Sequence, residues 1–256
     1  MTVRYTENSA YFLDFDGTLV NFADDPEGVY VSDELRQVLT ELEQITHGAV
    51  ALISGRSISS LSNLIQLPLS MAGSHGAEWR VGDGDVESVS LESDAFQDIK
   101  TSLLSFAEVH GLIVEDKGHA VALHYRVKPE LKALLDDYID GDLMLGQRTD
   151  VRVIRGNCVR EIQPKGVDKG VAIARFMGMP PFAGRVPFYI GDDTTDEDGF
   201  AWVNARGGVS VKVGDGDSCA QERLSDPGEV FAFLRGQLDK LRQLNDRTKS
   251  RTGSDR

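Results

Sequence analysis

Cysteine is scarce, with only Cys158 and Cys219 in 256 residues. Two isolated thiols make no disulfide framework, so a reduced, cytoplasmic compartment is the default expectation. Nowhere does an apolar run reach the length of about 18 residues that a membrane span needs, and the polar stretch from Met1 to Asn8 has no signal-peptide core. Basic charge is also short: 27 Lys plus Arg stand against 41 Asp plus Glu, a formal net charge of −14. That balance argues against general nucleic-acid binding, which needs a basic face. It leaves an anionic small molecule open, because a metal ion and a few Lys or Arg make a single pocket positive. No internal repeat is present. Against these absences stands a hydrophobic content of 41%, enough to build a substantial core in one large domain or two small ones.

The most informative stretch is Tyr11-Phe12-Leu13-Asp14-Phe15-Asp16-Gly17-Thr18-Leu19-Val20. A short apolar run bounded by Gly reads as a buried strand, and buried parallel strands present their chemistry at the carboxyl end. Asp14 is therefore expected at the mouth of a sheet. Gly17 lets the chain turn sharply and brings backbone N–H groups toward a bound anion. Two neighbouring carboxylates repel unless a cation joins them, and hard oxygen donors of this kind suit Mg²⁺. Asp-x-Asp-Gly also occurs in calcium loops and ordinary turns, so the rest of the chain must decide.

Along the chain, Ser32 reads as the N-cap of a helix whose apolar stripe is Leu35, Val38, Leu39 and Leu42. Ala49–Ile53 is a second strand ending at Ser54-Gly55-Arg56, and Leu69–Gly73 a third, leading into Ser74-His75-Gly76-Ala77-Glu78. Strand alternating with helix predicts a parallel sheet with helices on both faces. The pattern changes near Gly82-Asp83-Gly84-Asp85. A helix over 94–110, a hairpin over 112–126, a helix over 129–139 and two short strands over 151–163 suggest an inserted α+β module. The first pattern returns with a helix opened by Lys169, a strand over Val186–Ile190 ending at Gly191-Asp192-Asp193-Thr194-Thr195-Asp196, a further strand over Gly208–Val213 and a last helix over 227–244. The expected organisation is a core domain over 1–82 and 163–244, a module over 83–162 and a patternless, disordered tail over 245–256.

Three predicted strand ends and one helix start thus carry Asp14 with Asp16, Ser54, Lys169, and Asp192 with Asp193 and Asp196. These residue types fit phosphoryl transfer through a covalent aspartyl-phosphate. Mg²⁺ and Lys169 would neutralise charge on the phosphoryl oxygens, Ser54 would hold the same oxygens, and Asp16 would act as general acid and base. Singly, each has a plainer reading: Ser54 as a helix cap, Lys169 as a solvated helix residue, Asp193 and Asp196 as first-turn acids that suit the helix dipole.

Four motifs, Asp14-Phe15-Asp16-Gly17-Thr18, Ser54-Gly55-Arg56, Lys169-Gly170 and Gly191-Asp192-Asp193-Thr194-Thr195-Asp196, resemble the haloacid-dehalogenase superfamily of phosphatases. The resemblance implies a Rossmann-like parallel-sheet core with an inserted α+β cap. It implies Asp14 as nucleophile, Asp16 as general acid/base, and Mg²⁺ held by Asp14, the Asp16 carbonyl and Asp192, with Asp193 and Asp196 as further ligands or supports. Gly17, Thr18, Gly55 and Arg56 would line the phosphate. A narrower resemblance, carried by Gly73–Glu78, Glu115-Asp116-Lys117-Gly118, His124-Tyr125-Arg126 and Glu161–Gly170, is to the trehalose-6-phosphate phosphatase family. It implies that cap residues Glu115, Lys117 and Glu161, with His75 and Arg126, bind a sugar phosphate. The sequence lacks the fused synthase-like domain that some members of the family carry, so a monomer that acts alone is expected. Two other readings remain: the same chemistry on another sugar phosphate, such as sucrose phosphate or mannosyl-3-phosphoglycerate, and a non-catalytic sugar-phosphate-binding protein. The intact Asp14, Asp16, Lys169 and Asp192 speak against the latter.

Overall fold

A computed structural model of the chain describes residues 8–22, 28–89, 94–116, 120–156 and 158–252. It separates into two compact units, Met1–Glu87 with Asp168–Arg256, and Ser88–Val167.

The first unit is built on an eight-stranded sheet. In chain order its strands are β1 (Ser9–Leu13), β2 (Val50–Ile53), β3 (Ser70–Gly73), β4 (Glu78–Arg80) and β5 (Glu87–Ser88) before the second unit. After it come β10 (Val186–Gly191), β11 (Val209–Val213) and β12 (Glu222–Leu224). The spatial order is β12-β11-β10-β1-β2-β3-β4-β5. Pairing is parallel from β12 to β3, and β4 turns back antiparallel on β3. Strand β1 lies at the centre and is buried throughout. Its alternate residues feed two cores, as the two-residue period of a strand requires. Tyr11 and Leu13 face α1 (Asp33–Ile45), α2 (Ile58–Ile65) and α7 (Pro227–Thr252). Ala10 and Phe12 face α5 (Lys169–Met177) and α6 (Glu197–Asn204). Ser32 caps α1 as its sequence suggests, accepting from the Leu35 N–H at 3.1 Å.

The second unit packs α3 (Asp94–His110) and α4 (Lys132–Asp137) on a four-stranded antiparallel sheet. The strands are β6 (Ile113–Asp116), β7 (Val121–His124), β8 (Val151–Gly156) and β9 (Val159–Pro164), in the order β6-β7-β9-β8. The expected α/β sheet with an inserted α+β module is what the chain forms.

Two expectations need adjustment, and one strand was not anticipated. The second unit runs to Val167 rather than 162, because β9 pairs along its length with β8, out to Pro164 opposite Val151. The short edge strand β12, too brief to show a period in the sequence, pairs parallel with β11, and its Leu224 packs against the core. Residues 245–252, expected to be disordered, continue helix α7. Arg247, Lys249 and Arg251 are good helix formers and neither Gly nor Pro interrupts 245–252, so propagating an established helix adds a backbone bond per residue without a new nucleus. Residues 253–256 lie outside the described residues.

Candidate active site

The site begins where β1 ends. The Asp14 N–H still bonds to the Ile190 carbonyl of β10 at 2.9 Å, which holds Asp14 in line with the sheet. The chain then turns tightly: the Leu19 and Val20 N–H groups donate to the Phe15 carbonyl at 2.9 and 3.1 Å, and the Gly17 N–H donates to the Val20 carbonyl at 2.8 Å. Gly17 has φ +75, the left-handed region that glycine adopts without strain. Thr18 donates its hydroxyl to Asp192 Oδ1 at 3.3 Å.

Lys169 enters from the first turn of α5, which Asp168 caps by accepting from the Val171 N–H at 2.7 Å. It is 3% exposed, and its Nζ donates to Asp14 Oδ1 at 2.8 Å and to Asp196 Oδ1 at 2.7 Å. Asp196 is fully buried. Tyr189 donates its hydroxyl to Asp196 Oδ1, and Oδ2 accepts the N–H groups of Asp192 and Asp193 at 2.9 Å each. Asp193 caps the following turn, accepting from the Thr195 N–H and hydroxyl at 2.7 and 2.6 Å. Lys212, buried in β11, donates to the Asp192 carbonyl.

Ser54 follows β2, and its hydroxyl accepts from the Arg56 N–H at 3.1 Å. The cap of α2 is Ser57, which accepts from the Ser60 N–H at 3.2 Å, so the capping explanation for Ser54 does not apply. The loop over 54–58 is laced to the one after β3. The Ser74 N–H reaches the Arg56 carbonyl at 2.7 Å, and the His75 N–H reaches the Ser54 carbonyl at 2.9 Å. Glu78 Oε1 accepts from the Ile58 N–H at 2.8 Å. A Cβ on Gly55 would stand 2.7 Å from the His75 ring, so only glycine lets these loops approach so closely. Arg56 turns to Asp16 and pairs with both of its oxygens at 2.6 Å.

Asp14, Asp192 and Asp196 offer oxygens that lie within 4.8 Å of one another. Burial, opposed by Lys169, pushes Asp14 well above the usual carboxylate range; burial also raises Asp192, although hydrogen bonding with Asp14 offsets part of this. Burial works against the charge on Lys169 too, but Asp14 and Asp196 outweigh it and hold the ammonium above its ordinary value. Crowded, partly desolvated carboxylates with oxygen donors alone fit a hard divalent cation, which would remove the repulsion. Asp196 already has a partner at both oxygens, which leaves Asp14 and Asp192 as the pair suited to hold it. Asp193, whose carboxylate burial would raise, is held below its ordinary value by Lys169 and Thr195.

The first unit therefore gathers Asp14, Asp16, Gly17, Thr18, Arg56, Lys169, Asp192, Asp193 and Asp196 at one sheet edge, with Ser54, Gly55 and His75 in the adjoining loops. Tyr189 and Lys212 were not singled out from the sequence. Lys212 had one legible signal, a charge inside a valine-rich strand; Tyr189 had none, since a strand tyrosine reads as core.

In the second unit, Glu115, Ala122 and Glu161 are direct cross-strand neighbours on β6, β7 and β9. Such neighbours share a sheet face, here the face opposite the core residues Val121, Leu123 and Ile162. The two glutamates thus flank a single alanine. Glu115 Oε2 lies 3.2 Å from His124 Nε2. Arg126 is exposed just beyond β7. Lys117 lies outside the described residues.

Comparison with known proteins agrees with this geometry. The profile of the trehalose-phosphatase family matches residues 12–227. The chain is 40% identical to the trehalose-6-phosphate phosphatase of Escherichia coli (strain K12) over 256 aligned positions, covering 97% of this chain and 94% of that protein. The structure of Aspergillus fumigatus trehalose-6-phosphate phosphatase superposes with a TM-score of 0.72 at 26% identity, over 91% of this chain and 93% of that one. A haloacid dehalogenase-like hydrolase from B. subtilis shares the fold, with a TM-score of 0.66 at 13% identity over 88% of this chain and 99% of that one. Strand-end aspartates gathered around a buried lysine and a profile match that spans most of the chain lead to the same place: this chain belongs to the trehalose-phosphatase family.

Proposed function

We propose that the chain hydrolyses trehalose 6-phosphate to trehalose and phosphate through an aspartyl-phosphate on Asp14. The observation that carries the reading is Lys169 Nζ at 2.8 Å from the Asp14 carboxylate, both side chains buried at the carboxyl end of the sheet. A buried ammonium beside the nucleophile neutralises negative charge where a phosphoryl group would be transferred.

An Asp14 carboxylate oxygen attacks phosphorus, and the bond from phosphorus to the sugar oxygen breaks. Asp16 gives its proton to that departing oxygen. Asp16 then takes a proton from the water that attacks the acyl phosphate, releasing phosphate and restoring Asp14. Ser54, Thr18 and the backbone N–H groups of the turn at Gly17 hold phosphoryl oxygens, with Gly55 allowing close approach. A Mg²⁺ ion held by Asp14, the Asp16 carbonyl and Asp192 would supply charge neutralisation and orientation of the phosphate. Asp196 and Asp193 act as supports: the first fixes Lys169 and the Asp192 backbone, the second caps the turn.

The second unit (Ser88–Val167) serves as the cap domain, whose Glu115, Lys117, Glu161 and Arg126 read the sugar hydroxyls; His75, in the first unit, is a substrate-binding residue of the core. Carboxylates on one sheet face accept from sugar hydroxyls, and a lysine donates to them.

The test is phosphate release with Mg²⁺ from trehalose 6-phosphate, sucrose 6-phosphate, glucose 6-phosphate and mannosyl-3-phosphoglycerate. A strong preference for the first supports the reading. A preference for another ester keeps the chemistry and overturns the substrate.

A further inference from the structure

Arg56 was expected to line the phosphate. Its guanidinium instead engages the carboxylate of Asp16, with Nε 2.6 Å from Oδ2 and Nη2 2.6 Å from Oδ1. Both partners are largely shielded, at 14% and 23% side-chain exposure, and the guanidinium stands 5.7 Å from the centre of the Phe15 ring. The arginine backbone is itself restrained. Its N–H bonds to Ser54 Oγ, its carbonyl receives the Ser74 N–H at 2.7 Å, and a Cβ on Gly73 would meet that carbonyl at 2.8 Å. The fork therefore projects from a fixed base.

We propose that Arg56 is a positioning residue that sets the plane of the Asp16 carboxyl for proton transfer to the departing sugar oxygen. A side-on guanidinium occupies one lone-pair direction on each oxygen and leaves the outer directions to carry the proton. Without the fork, Asp16 rotates about its side-chain bonds, and proton transfer depends steeply on heavy-atom distance and alignment. Lysine keeps the charge but supplies no planar fork. The inference rests on the phosphatase reading and adds a residue that acts through Asp16.

The test uses leaving groups. A sugar alkoxide departs poorly without a proton, whereas para-nitrophenolate departs without one. The quantity measured is kcat/KM with Mg²⁺ for trehalose 6-phosphate and for para-nitrophenyl phosphate, which reports steps through the first loss of the alcohol. The ratio of the two values within one variant is independent of how much of the preparation is folded. Arg56→Ala is expected to lower kcat/KM for the sugar ester by about 100-fold, the lower end of general-acid contributions, and for the nitrophenyl ester by far less. Arg56→Lys should restore only part of the ratio. Equal losses on both esters, no loss on either, or a lysine variant with the wild-type ratio would each overturn the proposal. Asp16→Ala separates its failure from that of the parent reading. If that variant discriminates between the esters and Arg56→Ala does not, only the role of Arg56 falls. If Asp16→Ala does not discriminate, the acid role of Asp16 falls and the role of Arg56 with it.

Discussion

A Cβ on Gly17 would stand 2.2 Å from Asp192 Oδ2 and 2.7 Å from the Phe22 ring, at a φ of +75. The turn after β1 and the acidic loop after β10 are thus packed so closely that a single methyl group forces Asp192 aside. Gly17→Ala should cost about 1–3 kcal/mol of stability from the left-handed backbone and about 100-fold in kcat from the displaced carboxylate. Thermal unfolding and steady-state kinetics read the two effects separately. Near-normal turnover would mean that the position of Asp192 matters little.

The raised state of Asp14 and Asp192 has a consequence for metal binding. An acid whose folded pKa exceeds its unfolded value of 3.8 favours the folded state while protonated, and that contribution is lost as pH rises from about 4 through the raised value. A divalent cation removes the cost, so its stabilising effect should grow with pH across that window. Saturating Mg²⁺, at about 100 times its dissociation constant, should raise the melting temperature at pH 7 by about 5–10 °C, and by less at pH 5. Asp192→Asn should abolish most of the shift. A shift that is equal at both pH values, or that survives the substitution, would point away from this carboxylate pair.

Asp14→Asn should abolish turnover and leave the fold intact, since it removes one carboxylate from a crowded, desolvated group. Circular dichroism and phosphate release check the two halves. Substantial residual activity would take the nucleophile role away from Asp14.

In the second unit, hydrogen bonding from Arg160 holds Asp136 down to about 2, against an ordinary value of 3.8. A depressed folded pKa contributes stability that is present above the unfolded value and is lost as pH falls from about 4 toward 2. Asp136→Asn should therefore destabilise this unit by about 2 kcal/mol at pH 7 and flatten its acid unfolding in that window. Denaturant titrations at pH 7 and pH 3 distinguish the outcomes, and an unchanged acid profile would assign the loss to packing instead.

Glu115→Ala should cost more on a disaccharide phosphate than on a small artificial ester, because only the former offers hydroxyls to the sheet face that Glu115 shares with Glu161. Equal losses on both substrates would argue against sugar reading.

Much of the site was legible because its residues end strands or open helices, where periodicity breaks at a polar residue. Asp14, Lys169 and Asp192 are of this kind, as is the cap Ser32. Side-chain partnerships were less so. Ser54 and Ser57 are equivalent choices for capping α2 on sequence alone, and only the backbone path gives that role to Ser57. Arg56 reads as a phosphate ligand beside Ser54, yet its nearest carboxylate comes from a residue forty positions earlier. The short edge strand β12 and the helical continuation past 244 carry no apolar pattern, so their formation depends on a neighbour that is already in place.

By itself the amino-acid sequence determined the alternation of strands and helices, the inserted module and the acidic residues at the strand ends, because burial and local geometry write these into short windows. The tertiary structure decided which of those acids lie close enough to hold a cation together, which one serves as the buried support for Lys169, and which one is clasped by Arg56. These assignments are set by angles and distances of a few ångströms between strands remote in the chain, and no local pattern of residues records them.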